Sequence, residues 1–264
     1  MFGFFKKRRR AKLLAQPFPD TWLKIIERNV PYYALLSEDE KIELQDHIRI
    51  FLGEKEFEGC GGLTMTDEIR LTIASQACIL LLHRETDYFP SLLSILVYPY
   101  EYFAETTHHN PDGTVTEDVQ ARLGESWRRG EVVLSWDDVM QGARNIRDGL
   151  NVVFHEFAHQ IDCEDGTCNG APPLPDATLY KPWAEIMTRE YEALLDAVEH
   201  RHKTLIDHYG ATNPAEFFAV ITETYFEMPI KLRKRHPELY AMLDAFYKQD
   251  PAARYEKALR HHNA

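Results

Sequence analysis

The stretch that decides the reading runs from Arg147 to Asp162: Arg147-Asp148-Gly149-Leu150-Asn151-Val152-Val153-Phe154-His155-Glu156-Phe157-Ala158-His159-Gln160-Ile161-Asp162. Leu150, Val153, Phe154, Phe157, Ala158 and Ile161 recur at the 3.6-residue period of a helix with one apolar face, and Asp148 is a suitable N-cap. On that helix His155 and His159 stand one turn apart on the same side, where two imidazoles can reach one ion. Glu156 lies about 100° further round, beside such an ion and off the line of its ligands. That offset suits a general base.

The pentapeptide alone is weak: with 12 His and 42 Asp+Glu in 264 residues, roughly 0.09 matches arise by chance. The helical context, imidazoles on one stripe and apolar residues on another, gives it weight. Two histidines do not hold a catalytic zinc; a third protein ligand is needed, with one position left open. Three residues compete. Asp165 stands where an HExxHxxGxxH pattern places its third ligand, but Asp162 replaces the glycine that lets the chain turn there. Glu216 and Glu223 lie on a later helix, opened by Asn213 as N-cap and Pro214 at N1, with Phe217, Phe218, Ile221, Tyr225 and Met228 as its apolar face. Glu216 at N3 could merely return to the Asn213 amide as a capping box. Beside a two-histidine helix short of a ligand, it is the more economical third ligand, with Glu223 an outer partner or a surface group. Asp162, one turn beyond His159, is a candidate partner for a ligand imidazole.

Around this centre the chain reads as mostly helical. Residues 19–83 form a helical block: a helix from Asp20 through Ile25, one capped by Ser37 and Glu40 with Ile42, Ile48 and Phe51 on its core face, and one from Asp67 to His83. Ser94–Tyr98 and Glu131–Trp136 read as strands, and Pro111-Asp112-Gly113 as a turn. Few strands after a helical block predict an α+β fold with a small mixed sheet. Residues 1–14, with the basic run Lys6–Arg10, read as a solvated tail, and 15–264 as one domain.

The charge balance, Lys+Arg 30 against Asp+Glu 42 for a net −12, argues against direct nucleic-acid binding. Cys60, Cys78, Cys163 and Cys168 make no disulfide framework and are expected as reduced thiols in a cytoplasmic protein. The longest apolar run, Leu71–Leu82, is interrupted and too short to span a bilayer.

Three stretches carry a family likeness: Val132-Val133-Leu134-Ser135-Trp136; Arg147-Asp148-Gly149 through Asp162; and Tyr209-Gly210-Ala211-Thr212-Asn213-Pro214-Ala215-Glu216-Phe217-Phe218-Ala219. In these the sequence resembles the Mlc titration factor A family of bacterial zinc metallopeptidases and, more distantly, the catalytic domain of anthrax lethal factor. The resemblance implies a zincin-like metallopeptidase fold with one Zn2+ per chain on His155, His159 and Glu216. It further implies Glu156 as base and Tyr209 facing the metal, and peptide hydrolysis of the gluzincin type, with aminopeptidase and endopeptidase modes both open. It also implies a peptide or protein substrate and interaction with a Mlc-type repressor in glucose and phosphotransferase-system regulation. The rival expectation is a non-catalytic protein that titrates a repressor, its metal site vestigial or structural. A hydrolase of non-peptide bonds is a third. Glu156 discriminates the first two, because a structural site needs no base beside its first histidine. The Val132–Trp136 strand, directly before the His155 helix, could pair with an extended peptide as a sheet edge.

Overall fold

The computed structural model describes residues 2–100, 103–109, 115–121 and 130–262; the turn expected at Pro111–Gly113 lies outside them. It is mostly helical with little sheet. Helix α1 (Phe2–Leu14) leads to α2 (Asp20–Asn29) and α3 (Glu38–Glu54). Ser37 and Glu40 make the expected capping box at the head of α3, side chain to backbone in both directions. Ile48 and Phe51 are buried, whereas Ile42, expected in the core, is 60% exposed. Strand β1 (Glu56–Gly59), helix α4 (Asp67–Ile79) and strand β2 (Ser94–Tyr98) form a parallel crossover. Strand β5 (Glu131–Ser135) then pairs in parallel with β2, Ile95 beside Val132 and Val97 beside Leu134.

The sheet, in the order β1-β2-β5, is therefore wholly parallel and not mixed. The antiparallel pairing belongs to a separate two-stranded sheet of β3 (Phe103–His109) and β4 (Val115–Ala121). Ile95, Val97, Val132 and Leu134 are buried, as the strands of a covered parallel sheet should be. Trp136 starts helix α5 (Trp136–Arg144) and does not end the strand, because Ser135 caps that helix by accepting the Asp138 N–H. Helices α6 (Val152–Asp162), α7 (Tyr180–Glu199) and α8 (Pro214–Glu227) follow. Then come α9 (Pro229–Arg235), α10 (Pro237–Tyr247) and α11 (Pro251–His262), each opened by a proline at the position where the missing N–H costs nothing.

Two expectations are corrected here. The first fourteen residues are no free tail. Arg10 forms a two-pronged pair with the buried Glu54 carboxylate of α3 (2.9 and 2.8 Å) and a further bond to Asp87, while Lys6 pairs with Asp87 at 2.7 Å. The basic run finds acids more than forty residues away, and such a bidentate pair fixes a helix more firmly than a single contact. Nor are all four cysteines reduced: Cys163 and Cys168 form a disulfide, with Cys60 and Cys78 free. The bond closes a tight loop directly after α6, too short to belong to the disulfide frameworks of small secreted domains.

Candidate metal centre

The core that surrounds α6 and α8 sets their register. Phe154, Phe157, Ala158 and Ile161 on α6 are buried, as are Phe217, Phe218, Ile221 and Tyr225 on α8. Phe154 stacks obliquely on Phe226 with ring centroids 5.2 Å apart. The cap of α6 is Asn151, whose Oδ1 accepts the Phe154 N–H at 3.0 Å. Asp148, expected in that role, caps the preceding turn and accepts the Leu150 N–H at 3.1 Å, leaving Leu150 outside the helix and 51% exposed. The cap of α8 is as expected: Asn213 Oδ1 accepts the N–H groups of Ala215 (2.9 Å) and Glu216 (3.0 Å).

With both helices so held, three side chains meet. His155 Nε2 lies 2.9 Å from Glu216 Oε2, His159 Nε2 lies 3.3 Å from the same oxygen, and the two imidazole nitrogens are 3.2 Å apart. Glu216 does not return to its own cap. A tetrahedral zinc with bonds of roughly 2.0–2.1 Å has ligand–ligand edges of about 3.3–3.4 Å. The triangle is within a few tenths of an ångström of that size, and two nitrogens with one carboxylate oxygen is a donor set that zinc accepts. The competing third ligand is placed elsewhere: Asp165 Oδ1 accepts the Thr167 N–H at 2.8 Å in an exposed turn.

The charges around the triangle are uneven. Burial alone would strip Glu216 of its charge, but hydrogen bonds from His155 and His159 outweigh it and bring the carboxyl down to about 2. Burial likewise opposes a charged His155, and the bonds to Glu216 and Glu223 outweigh it, taking that imidazole up to about 10. His159 goes down, chiefly through burial. The site is built to hold positive charge between two imidazoles and a carboxylate.

Glu156 is 2% exposed, and its Oε2 is buried without a hydrogen-bond partner among the described residues. Burial pushes its carboxyl up to about 8, His155 opposing and the negative Glu216 and Glu223 adding to the rise. An orphaned buried oxygen of this kind calls for an explanation. Tyr209 sits in a short 3-10 turn, His208–Ala211, with its ring centroid 5.8 Å from that of His155. Burial, then the charges of Glu216, Glu156 and Glu223, raise its hydroxyl to about 12, so it stays a proton donor at neutral pH.

Glu223, expected as an outer partner or a surface group, is the former: its Oε1 contacts His155 Nδ1 at 2.8 Å, and its other oxygen accepts the Asn151 N–H. Beside it stand residues that spacing did not single out. Glu227, one turn on, accepts from Asn151 Nδ2 (3.0 Å) and from the Gly149 N–H (3.1 Å), while Asn151 Nδ2 also reaches Gln76 Oε1 at 2.9 Å. Glu216, Glu223 and Glu227 thus form one acidic stripe on α8, and the i, i+7, i+11 spacing is the signal that could have revealed it. Among the described residues Asp162 holds no imidazole. Its Oδ2 accepts the Gly170 N–H at 2.8 Å, which folds the disulfide loop back against α8. There Gly170 (φ +79°) passes so close to the Pro214 carbonyl that a Cβ would sit 2.2 Å from its oxygen.

Two imidazoles one turn apart on a buried helix, with a carboxylate from a second helix, define a candidate metal centre in a mostly helical protein with a small parallel sheet. The chain belongs to the family of glucose-regulated metallo-peptidases M90, whose model matches residues 4–248. It is 43% identical over 245 residues to an uncharacterized protein of Synechocystis sp., covering 92% of this chain and 89% of the relative. It is 31% identical over 231 residues to the Mlc titration factor A of Serratia proteamaculans (86% and 87% covered). To that of Klebsiella pneumoniae it is 30% identical over 227 residues (85% of each).

Proposed function

We propose that the chain is a zinc-dependent peptidase of the gluzincin type with a zincin-like fold over residues 15–264, preceded by the short basic helix. His155, His159 and Glu216 are its metal ligands, one Zn2+ per chain. The observation that carries this reading is the meeting of His155 Nε2, His159 Nε2 and Glu216 Oε2 within 2.9–3.3 Å. When bound, zinc supplies Lewis acidity and a nucleophilic water at neutral pH. Glu156 takes a proton from the attacking water on its free Oε2 and passes it to the leaving amine. Tyr209 donates its hydroxyl proton in a hydrogen bond to the developing oxyanion. Glu223 accepts the Nδ1–H of His155 and so leaves its Nε2 lone pair for the metal. Strand β5, last in the sheet order among the described residues, takes the substrate backbone by strand addition.

A second reading has support in the relatives named Mlc titration factor A: interaction with a Mlc-type repressor, which would not require turnover. The unpartnered carboxylate of Glu156 favours catalysis, because a purely structural site has no use for it. A cytoplasmic location belongs to both readings, and no helix among the described residues is long and apolar enough to cross a membrane. Glu156→Gln should retain zinc and lose hydrolysis of peptide and aminoacyl chromogenic substrates by about a hundredfold or more. Undiminished turnover in that variant refutes the assigned base. Glu216→Ala should lose zinc, and an unchanged zinc content refutes the ligand set.

A further inference from the structure

Helix α1 is held to the body along one side. Leu13 lies over Gly53 of α3, so near that a Cβ there would stand 2.6 Å from Leu13 Cδ1. Arg10 pairs with Glu54 and Asp87, and its guanidinium lies over the Tyr88 ring, 4.5 Å from the centroid. The Leu14 carbonyl accepts from Arg49 at 3.0 Å, and Lys6, one turn before Arg10, pairs with Asp87. At about 100° per residue these contacts fix which side is turned out. That side carries Phe4, Arg8, Ala11 and Lys12, flanked by Phe5, Lys7 and Arg9, all of them exposed.

The outer face combines two features that occur apart on ordinary surfaces. Phe4 and Phe5 are 69% and 62% exposed, and no other phenylalanine among the described side chains is exposed. Residues 6–12 hold six of the chain's 30 Lys and Arg, and no Asp or Glu precedes Asp20, in a chain of net charge −12. The acids that reach this run, Glu54 and Asp87, sit on its inner side against Lys6, Arg9 and Arg10. Two acids against six cations leave α1 with a positive excess where the protein otherwise is acidic. A single exposed ring or a lone unpaired lysine would mean nothing. Here both rings and the excess charge share one face of one helix.

Two phenyl rings set among cations match a partner that has a layer of negative charge over an apolar layer. An anionic bilayer is such a partner: its headgroups meet Lys and Arg, and the boundary beneath them admits aromatic rings. A nucleic-acid duplex would offer the cations phosphates but closes its stacked bases to the rings. The rings of Phe4 and Phe5 stand side by side, centroids 6.1 Å apart, so both can enter at one place.

We infer that α1 lays its outer face on the surface of an anionic lipid bilayer, with Phe4 and Phe5 in the headgroup–acyl boundary and Lys7, Arg8 and Lys12 against the lipid phosphates. The inference is independent of the peptidase reading. The test uses the full chain with vesicles of phosphatidylcholine alone and of equal parts phosphatidylcholine and phosphatidylglycerol, binding being read by co-sedimentation. The chain should bind the mixed vesicles and not the neutral ones, and salt should weaken that binding. A cation at an anionic surface is worth about fivefold, so Lys7→Gln, Arg8→Gln and Lys12→Gln combined should weaken partitioning by about a hundredfold. Lys7→Arg with Lys12→Arg keeps the charges and should bind like the parent. Phe4→Ser with Phe5→Ser should weaken binding by about tenfold or more. Phe4→Trp should add an emission that lipid with brominated chains quenches, which reports where that side chain lies. No binding to the mixed vesicles, equal binding to the neutral ones, full binding by the triple Gln variant, or an unquenched Phe4→Trp emission each overturns the inference. So does tighter binding of a DNA duplex or of polyglutamate than of the mixed vesicles, which would make the face a general polyanion surface.

Discussion

Removing one charge at Glu223, a residue that is no ligand, probes how the centre is held. The carboxylate has two engagements: Oε1 with His155 Nδ1 at 2.8 Å and Oε2 with the Asn151 N–H at the head of α6. Both partners donate, so in the zinc-loaded protein the His155 proton would sit on Nδ1 and leave the Nε2 lone pair for the metal. Glu223→Gln keeps the shape and breaks the logic. If the amide oxygen takes the imidazole proton, the NH2 group meets the Asn151 N–H, donor against donor, in a buried place. If the amide is reversed, its NH2 faces Nδ1 and favours the tautomer with the proton on Nε2, which removes the metal-facing lone pair. Losing such a carboxylate partner lowers metal affinity 10–100-fold, about 1.4–2.7 kcal/mol. An N–H left unsatisfied costs about 1–3 kcal/mol of folding stability, which lowers the melting temperature by about 2–4 °C per kcal/mol in a protein of this size. Zinc affinity is read by competition with a chromophoric chelator, and stability of the metal-free protein by thermal melting. Zinc affinity within twofold of the parent, in a variant that melts normally, refutes the claim that Glu223 sets the His155 tautomer.

Two other outcomes follow from the fold. Gly170→Ala places a Cβ 2.2 Å from the Pro214 carbonyl oxygen at φ +79°, so the head of α8 must shift by more than an ångström. Melting should fall by several degrees and zinc affinity should drop with it, since Glu216 lies two residues beyond Pro214; unchanged melts contradict the close approach. The Glu40 carboxyl is held down to about 2 because hydrogen bonds from Arg254 and the Ser37 N–H outweigh its burial. Its folded value lies below the ordinary 4.5, so its contribution is fully present above pH 4.5 and is lost as pH falls from there toward 2. Arg254→Gln should remove roughly 1–2 kcal/mol at pH 7, after allowance for solvent screening, and flatten the acid limb of the stability curve. A parallel loss at every pH would contradict the pairing.

Periodicity and capping chemistry carried much of the fold. The helix of His155 and His159 follows from its apolar stripe, and the head of α8 from Asn213-Pro214-Ala215-Glu216, because both signals are local. Asp148 and Asn151 are equally good caps in isolation. The choice of Asn151 depends on Glu223, Glu227 and Gln76, contacts more than seventy residues away that local rules do not see. Helix α1 depends in the same way on Glu54 and Asp87, and β1 is a four-residue, half-charged segment whose strand identity comes from pairing with β2. The Cys163–Cys168 pair shows how a spacing unlike the usual motifs can still bring two sulfurs together when a helix ends in a tight turn. At the centre, residue types and the α6 spacing pointed to His155, His159 and Glu156. The convergence of Glu216 on them needed the packing of α6 against α8.

Zinc K-edge absorption spectroscopy on the loaded chain, repeated on Glu216→Ala, addresses that convergence most directly. The expected first shell is two imidazole nitrogens at about 2.0–2.1 Å with carboxylate and water oxygens at about 2.0–2.2 Å, and it should lose both its geometry and its occupancy in the variant. A spectrum with one imidazole or with sulfur, or one that Glu216→Ala leaves unaltered, would contradict it.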